Sequence, residues 1–280
     1  MEIVSVDSMQ VYRGMDIGTA KPTPEERAEV RHHLVDLVDP TDDFSVAEFQ
    51  RLVKHALADV EKRGNRAILV GGTGLYVRSV VDDLDIPGQW PEVRAELEQE
   101  AETPVLHARL AQLDPVAATR MEPTNRRRVV RALEVTLGSG RAFSSFGPGL
   151  EAHPATPRFF QIGLSVDRHE LAERIERRFT RMIDDGLLEE VKALVARYGG
   201  RLSKTAKQAL GYRELLAHLE GRTTLDEAIV EAVTRTRQFA VRQERWFRRD
   251  PRISWYDATT ANIDDLAERV LGDWEQRCEP

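Results

Sequence analysis

The first eighty residues alternate short apolar runs with one amphipathic segment, and this order constrains the fold most strongly. Residues 1–7 and 66–70 are apolar runs of strand length. Between them, Ser45-Val-Ala-Glu48 is a capping box that opens a segment with apolar residues at helical spacing. The second run leads into Gly71-Gly-Thr-Gly74, which is typical of a turn between a strand and a helix. Strand, helix, strand, glycine turn and helix in this order predict a parallel α/β sheet.

A change of pattern divides the chain. Between residues 90 and 140 the pattern is wholly helical, and prolines separate short helices. We therefore predict a main α/β domain over residues 1–89 and 141–280, with a helical insertion at 90–140. The remaining predicted elements are strands at 33–38, 159–165 and 253–256, a helix from about Asp167, a long helix from the capping box at Thr224 to about Arg249, and a helix at 261–276.

Composition restricts the class of protein and the kind of partner. The chain has 41% hydrophobic residues, which is enough for a sizeable core, and a single cysteine, which excludes an internal disulfide. It has no apolar stretch of about 18 residues and no secretory leader pattern, so we expect a cytoplasmic protein without a membrane partner. The net charge of −7 hides arginine clusters at 126–131 and 235–249. Each cluster is either a solvated helix face or a surface for a polyanion.

Two residues stand where strands of an α/β sheet end. Asp7 follows the first predicted strand, where such sheets place active-site groups, although an aspartate there also commonly caps a turn. Thr73 stands in the glycine turn that opens a helix. The backbone of that turn could hold an anion or orient a carboxylate, or Thr73 could simply cap the helix. Position alone leaves both alternatives open.

Arg178 is a candidate anion ligand. Helical spacing places it in the apolar stripe of its helix, among Leu171, Ile175 and Met182. A guanidinium there needs an anionic partner, either in an internal ion pair or in a phosphate or diphosphate ligand. The seven histidines have no metal-binding spacing, so we predict no protein metal cage and expect any Mg²⁺ to arrive with a phosphorylated substrate.

Together these segments resemble the tRNA dimethylallyltransferases, also called tRNA isopentenyltransferases, over nearly the whole chain. The most specific motif is Met15-Asp-Ile-Gly-Thr-Ala-Lys-Pro22. The other segments that carry the resemblance are Ser5-Val-Asp-Ser-Met-Gln-Val-Tyr12, Val70-Gly-Gly-Thr-Gly-Leu-Tyr76, Asp114-Pro115, Arg131-Ala-Leu-Glu-Val135, Arg174-Ile-Glu-Arg-Arg-Phe179, Gly211-Tyr-Arg213 and Thr236-Arg-Gln-Phe-Ala-Val-Arg-Gln243.

The resemblance implies a P-loop NTPase-like α/β sheet flanked by helices, with a helical insertion. It implies transfer of a dimethylallyl group from dimethylallyl diphosphate, with Mg²⁺, to the exocyclic N6 of the adenine on the 3′ side of the tRNA anticodon. By this resemblance Asp7 is the general base, Thr73 helps to position it, and Arg178 holds the diphosphate. We expect a monomer.

The resemblance also implies a surface for the tRNA anticodon stem-loop, from which the reactive adenine is extruded. Two departures fall within the last arginine cluster, at Val241, where the family often has a basic residue, and at the acidic Glu244. The residues that match tRNA-contacting segments of the family are Asp7, Ser8, Met9, Gln10, Arg127, Arg128, Arg131, Gln208, Gly211, Tyr212, Arg213, Arg242, Gln243, Arg245 and Arg248.

A third departure concerns the N-terminal side. Family members precede the strand of Asp7 with another strand, a Walker-type phosphate loop and a helix, but the pattern G-x-x-x-x-G-K-[ST] does not occur in residues 1–280. The chain as printed is therefore expected to be weakly active or inactive and to expose neighbouring strand edges. The alternatives are a silent tRNA-binding fragment, a piece of an active enzyme whose start lies upstream, and a prenyltransferase that acts on a free adenine nucleotide.

Overall fold

The structure is a computed structural model that describes residues 1–147, 149–150, 152–156 and 158–278. The chain separates into two compact units. Unit 1 comprises residues 1–77 and 156–280, and unit 2 comprises residues 78–155. Within the described ranges, every helix is too short or too polar to span a lipid bilayer.

A parallel sheet forms the first half of unit 1. The central strand β1 pairs on one side with β2 and on the other with β3, and Ile3 lies opposite both His32 and Ile68. Parallel strands with helical connections confirm the predicted α/β class. The elements in chain order are β1 (Glu2–Ser5), α1 (Pro24–Glu29), β2 (His32–His33), α2 (Val46–Lys62), β3 (Ala67–Val70) and α3 (Gly74–Val81).

The second strand is much shorter than the run 33–38 predicts. Leu34 and Asp36 have φ values of +66° and +57°, so the backbone leaves the extended conformation directly after His33. The Asp36 carboxylate accepts from the buried Lys21 ammonium at 2.7 Å and from Arg27 at 2.7 Å. An apolar pattern in the sequence could not reveal this turn, because ion pairs to another segment of the chain accompany it.

Unit 2 is a cluster of short helices. Proline stands in the first turn of α4, α5 and α6, where the missing N–H costs nothing. The core packs Leu106 and Leu110 of α5 against Val129 and Leu133 of α7. The helices are α4 (Pro91–Gln99), α5 (Thr103–Leu113), α6 (Pro115–Thr119) and α7 (Arg126–Ser139).

The remainder of unit 1 adds a two-stranded parallel sheet and a group of helices. The long helix begins at the predicted capping box, in which Thr224 and Glu227 exchange hydrogen bonds. The elements are β4 (Ile162–Ser165), α8 (Arg168–Asp184), α9 (Leu187–Tyr198), α10 (Tyr212–Leu219), α11 (Leu225–Phe247), β5 (Ser254–Asp257) and α12 (Ile263–Cys278).

Strands β3 and β4 each have one open edge. Among the described residues β3 pairs only with β1, and β4 pairs only with β5. Their apolar side chains remain exposed, with Val70 at 52% and Leu164 at 56% of full accessibility. Unpaired strand edges of this kind offer free backbone N–H and C=O groups.

Glu2 anchors the start of the central strand, and we expect this anchor to make folding sensitive to acid. Its buried carboxylate accepts from Arg63 at 2.9 and 2.7 Å, from Asn65 at 2.9 Å, and contacts His33 at 2.6 Å. The Arg63 hydrogen bonds, followed by those of Asn65 and His33, hold the Glu2 pKa well below its ordinary value of 4.5. A lowered pKa in the folded state stabilises the protein above pH 4.5, and this stabilisation is lost as the pH falls below that value.

Thermal melting of Glu2→Gln against the parent chain measures this effect. We expect a lower melting temperature at pH 7 and a smaller difference between the two proteins at about pH 3. Glu61→Gln is the matched control, because that exposed carboxylate has a single ionic partner among the described residues, Arg158 at 3.3 Å. An equal difference at both pH values would contradict the prediction.

Candidate active site at the carboxyl ends of the strands

Asp7 lies two residues after the end of β1, and the intervening Val6 donates from its backbone N–H to Val70 O at 2.7 Å. Its Oδ1 accepts from the backbone N–H of Met9 at 2.7 Å and of Gln10 at 3.4 Å, while Oδ2 has no hydrogen-bond partner among the described residues. Desolvation raises the pKa of this carboxyl although the two N–H groups act in the opposite direction. A half-buried carboxylate with a raised pKa and one open oxygen is suited to accept a proton.

The glycine turn lies against the end of β1 and brings Thr73 beside Ser8. A Cβ at Gly71 would lie 2.1 Å from Val6 O, so only glycine permits this approach. The Thr73 hydroxyl oxygen is 3.3 Å from both the backbone N and the hydroxyl of Ser8, the residue next to Asp7. The two residues that sequence analysis selected at strand ends are thus linked through one neighbour.

Helix α11 contacts the glycine turn from another direction. Gln243 Nε2 donates to Gly72 O at 2.8 Å. A Cβ at Gly74 would lie 2.1 Å from Trp246 Nε1, so the indole packs directly on that glycine. The turn is therefore held by β1 and by the carboxyl-terminal part of α11.

A shallow cationic depression adjoins Trp246 on α11. The indole lines it together with Arg242 and Arg245 of α11 and Arg249 of the turn that follows the helix. These three arginines are exposed and have no carboxylate partner among the described residues. Unpaired guanidiniums around an aromatic ring can bind phosphates and stack on bases.

Motif matching did not assign two residues of this depression to tRNA. Trp246 is an apolar residue within the arginine cluster at 235–249, and Arg249 belongs to that cluster but stands just beyond the matched segment. Both follow Arg242 at helical spacing, and this periodicity is the signal that could have identified them.

The acid within the arginine cluster leaves the depression unaffected. Glu244 Oε1 accepts from Arg248 Nε at 3.2 Å, and the Arg248 guanidinium also lies 4.3 Å from the centre of the Trp255 ring. Arg248 has these two partners within the protein, but its side chain remains 48% exposed. The expected contact of Arg248 with tRNA stays a prediction.

Tyr212 and Gly211 are buried rather than presented to a partner. The Tyr212 hydroxyl donates to Glu190, whose other carboxylate oxygen accepts from the backbone N–H of Asp16 and Ile17 at 2.9 and 2.8 Å. Burial, and then the Glu190 charge, raise the Tyr212 pKa. The Tyr212 ring lies in the core and supports the motif at 15–22, and the expected contact of Gly211 and Tyr212 with tRNA stays a prediction.

Gln10 and Arg131 are likewise engaged within the protein. The Gln10 amide accepts from Ser5 Oγ at 2.8 Å and donates to two carbonyl groups at 3.2 Å. Arg131 in unit 2 donates to the buried Glu134 at 2.9 Å and to Pro87 O at 2.8 Å. These contacts orient both side chains within the protein, and their expected contact with tRNA stays a prediction.

Other predicted tRNA residues are accessible in the structure. Ser8 and Met9 are partly exposed. Four further residues have exposed side chains, namely Arg127 and Arg128 of unit 2 and Gln208 and Arg213 of unit 1. The three arginines among them have no carboxylate partner among the described residues.

Arg178 does not lie in the apolar stripe of α8. The buried residues of α8 are Ile175 and Phe179. Arg178 precedes Phe179 and is exposed, so the prediction that it lies on the apolar face of the helix was wrong. Desolvation and then the like charge of Arg181 lower its pKa. Among the described residues no carboxylate pairs with Arg178, which disfavours the internal ion pair, and no contact links it to Asp7 or Thr73.

Known proteins resemble this chain over nearly its full length. A tRNA dimethylallyltransferase of Streptomyces coelicolor is 51% identical over 273 residues, which are 96% of this chain and 86% of the relative. One of Geobacter metallireducens is 47% identical over 275 residues, which are 97% of this chain and 88% of the relative.

Solved structures and a family model agree with these relatives. The full-length tRNA isopentenylpyrophosphate transferase of Bacillus halodurans is 38% identical with a TM-score of 0.69, covering 99% of this chain and 89% of its own. A eukaryotic dimethylallyltransferase acting on tRNA has a TM-score of 0.80 at 26% identity, covering 98% of this chain and 73% of its own. This likeness confirms the P-loop NTPase-like fold class. Because the IPP transferase model also matches residues 10–250, the chain belongs to the IPP transferase family.

Proposed function

We propose that this protein transfers the dimethylallyl group of dimethylallyl diphosphate to the exocyclic N6 of the adenine that follows the tRNA anticodon. The names of the relatives support the reaction class. The observation that carries the proposal for this chain is the Asp7 carboxylate, which has a raised pKa, an open Oδ2 and a link through Ser8 to the Thr73 turn.

The proposed reaction is a single displacement at the first carbon of the prenyl group. The lone pair of N6 forms the new C–N bond, and the C–O bond to diphosphate breaks with its electron pair leaving on diphosphate. The proton released from N6 passes to Asp7 Oδ2. An adenine amine is a poor nucleophile, so a carboxylate in reach of that proton lowers the barrier.

Cationic groups stabilise the leaving diphosphate in this proposal. Arg178 supports the role, because it is exposed and has no carboxylate partner among the described residues. Mg²⁺ is proposed to arrive bound to the diphosphate and to neutralise part of its charge. The described residues gather no group of three or more His, Cys, Asp or Glu side chains around a metal position, so we name no protein ligand for Mg²⁺.

The tRNA surface is proposed to include the α11 depression and the exposed arginines of α7. Arg242, Arg245 and Arg249 can bind phosphates beside Trp246, and Arg127 and Arg128 offer two further cations in unit 2. Such contacts position a nucleic acid without reading its sequence. A free adenine nucleotide would not need arginines on both α7 and α11, so these basic segments favour tRNA over a free nucleotide as the acceptor.

Replacing Arg127 and Arg128 together by alanine is expected to weaken stem-loop binding and to flatten its salt dependence. Each lost phosphate contact lowers the slope of log K against log salt by roughly 0.7 to 0.9. Titrations of an anticodon stem-loop at several salt concentrations measure the slope. Arg109→Ala, at another exposed arginine of unit 2, is the control, and an unchanged slope in the double variant would remove these arginines from the tRNA surface.

Product analysis tests the proposed function. The protein as its organism makes it is incubated with labelled dimethylallyl diphosphate, Mg²⁺ and either an anticodon stem-loop or adenosine monophosphate. We expect label on the stem-loop and none on the nucleotide. Label on the nucleotide alone would support the free-nucleotide prenyltransferase, and stem-loop binding without transfer would support a silent tRNA-binding protein.

A further inference from the structure

We propose that Gln243 is a positioning residue that holds the glycine turn, and with it Thr73, in place relative to Asp7. This proposal rests on the proposed function. The resemblance implied that Gln243 contacts tRNA, whereas the structure gives its amide nitrogen a partner within the protein.

The contact between Gln243 and the turn is close and requires glycine. Gln243 Nε2 donates to Gly72 O at 2.8 Å. A Cβ at Gly72 would lie 1.9 Å from the same nitrogen, so any side chain there would displace the amide. The hydrogen bond joins segments 171 residues apart in the chain, and it therefore fixes α11 against the turn.

The turn is confined on its other sides as well. Gly71 packs on the Val6 carbonyl at the end of β1, and Gly74 packs on the Trp246 indole. Thr73 lies between these two packed glycines. The amide of Gln243 supplies the hydrogen bond that sets how far the turn stands from α11.

A continuous set of contacts connects Gln243 to the proposed base. Gly72 precedes Thr73, whose hydroxyl oxygen is 3.3 Å from the backbone N and the hydroxyl of Ser8. Ser8 follows Asp7 in the chain, and Asp7 Oδ1 accepts from the backbone N–H of Met9 at 2.7 Å. A shift of the turn would move the Thr73 hydroxyl, and misplacement by about 1 Å can cost roughly 10²-fold in rate.

The test compares Gln243→Glu and Gln243→Ala with Gln238→Ala, in the protein as its organism makes it. Glutamate keeps the size of the side chain, but its ionised carboxylate cannot donate to Gly72 O and adds a charge. Alanine removes the hydrogen bond without adding a charge, so a loss common to both variants reports the hydrogen bond. Gln238 is exposed on the same helix and is the matched control. Measurements are kcat, KM for an anticodon stem-loop, melting temperature, and kcat of the Thr73→Ala and Thr73→Ala/Gln243→Ala variants.

We expect both Gln243 variants to lower kcat by about 10- to 100-fold while KM for the stem-loop stays within about threefold. The Thr73→Ala/Gln243→Ala double variant should lose little more than Thr73→Ala alone, since one residue acts through the other. This non-additivity is a readout that a purely structural role would not produce.

Three results would overturn the inference. A raised KM with unchanged kcat would make Gln243 a direct tRNA contact. Multiplicative losses in the double variant would mean that Gln243 does not act through Thr73. A lower melting temperature with unchanged kcat would mean that Gln243 only stabilises the fold. If the parent protein itself transfers no prenyl group, the proposed function fails, which is distinct from a failure of any Gln243 variant.

Discussion

Asp7→Asn is expected to reduce prenyl transfer by about 10²- to 10⁴-fold, because the variant cannot accept the proton that leaves N6. In the parent chain Met9 N donates to Asp7 Oδ1 at 2.7 Å. The Oδ1 of asparagine can accept the same hydrogen bond, so the turn should persist. Single-turnover rates of the protein as its organism makes it measure the loss. Stem-loop affinity should stay nearly constant, since a general base acts mainly in the transition state.

The thermal stability of Asp7→Asn provides a control, because we expect its melting temperature to stay the same or rise while its activity falls. Burial raises the pKa of Asp7 in the folded state, so its contribution to stability is full below the ordinary value of 3.8 and is lost as the pH rises through the raised pKa. Asparagine is uncharged, so it avoids the free-energy cost of burying an ionised carboxylate at pH 7. The variant should therefore melt at the same temperature as the parent or at a higher one at that pH. Full activity of Asp7→Asn would exclude Asp7 as the base.

A polypeptide of residues 1–280 is expected to transfer prenyl groups far more slowly than the same chain extended at its N-terminus by a strand and a Walker-type phosphate loop. No such loop sequence occurs in residues 1–280. Loss of one preorganised N–H donor costs about 10²- to 10³-fold in rate, and a phosphate loop supplies several. Arg178 offers only a single cation in their place.

The comparison measures labelled prenyl transfer and stem-loop binding for both polypeptides. Binding should differ less than turnover, because the exposed arginines of α7 and α11 are present in both. The extended form should also melt higher, since a further strand would pair with an open strand edge such as that of β3. Equal turnover by both forms would mean that residues within 1–280 suffice to hold the diphosphate.

Local patterns in the sequence predict the elements that frame the site. The strand before Asp7, the glycine turn and the capping box of α11 all depend on neighbours within a few residues, and the structure has each of them. Where the pattern fails, a distant partner decides. Strand β2 ends at His33 instead of continuing to residue 38. The chain turns near Asp36, whose carboxylate accepts from Lys21 and Arg27.

The same limit applies to the candidate site. Motif matching groups Gln10, Tyr212 and Gln243 with the tRNA-contacting residues, but each has its polar group bound within the protein. A one-dimensional pattern cannot distinguish a residue that touches a substrate from one that supports such a residue. The fold makes the distinction, because it brings Gly72 and Gln243 together across 171 positions.

The most direct test of the central proposal changes the nucleophile rather than the protein. Two anticodon stem-loops are compared, one with adenine and one with unsubstituted purine, which lacks the N6 amine, at the position 3′ of the anticodon. The parent protein should bind both with similar affinity and should transfer labelled dimethylallyl only to the adenine stem-loop. Equal transfer to the purine stem-loop would contradict the proposal that the exocyclic N6 is the acceptor and that Asp7 receives its proton.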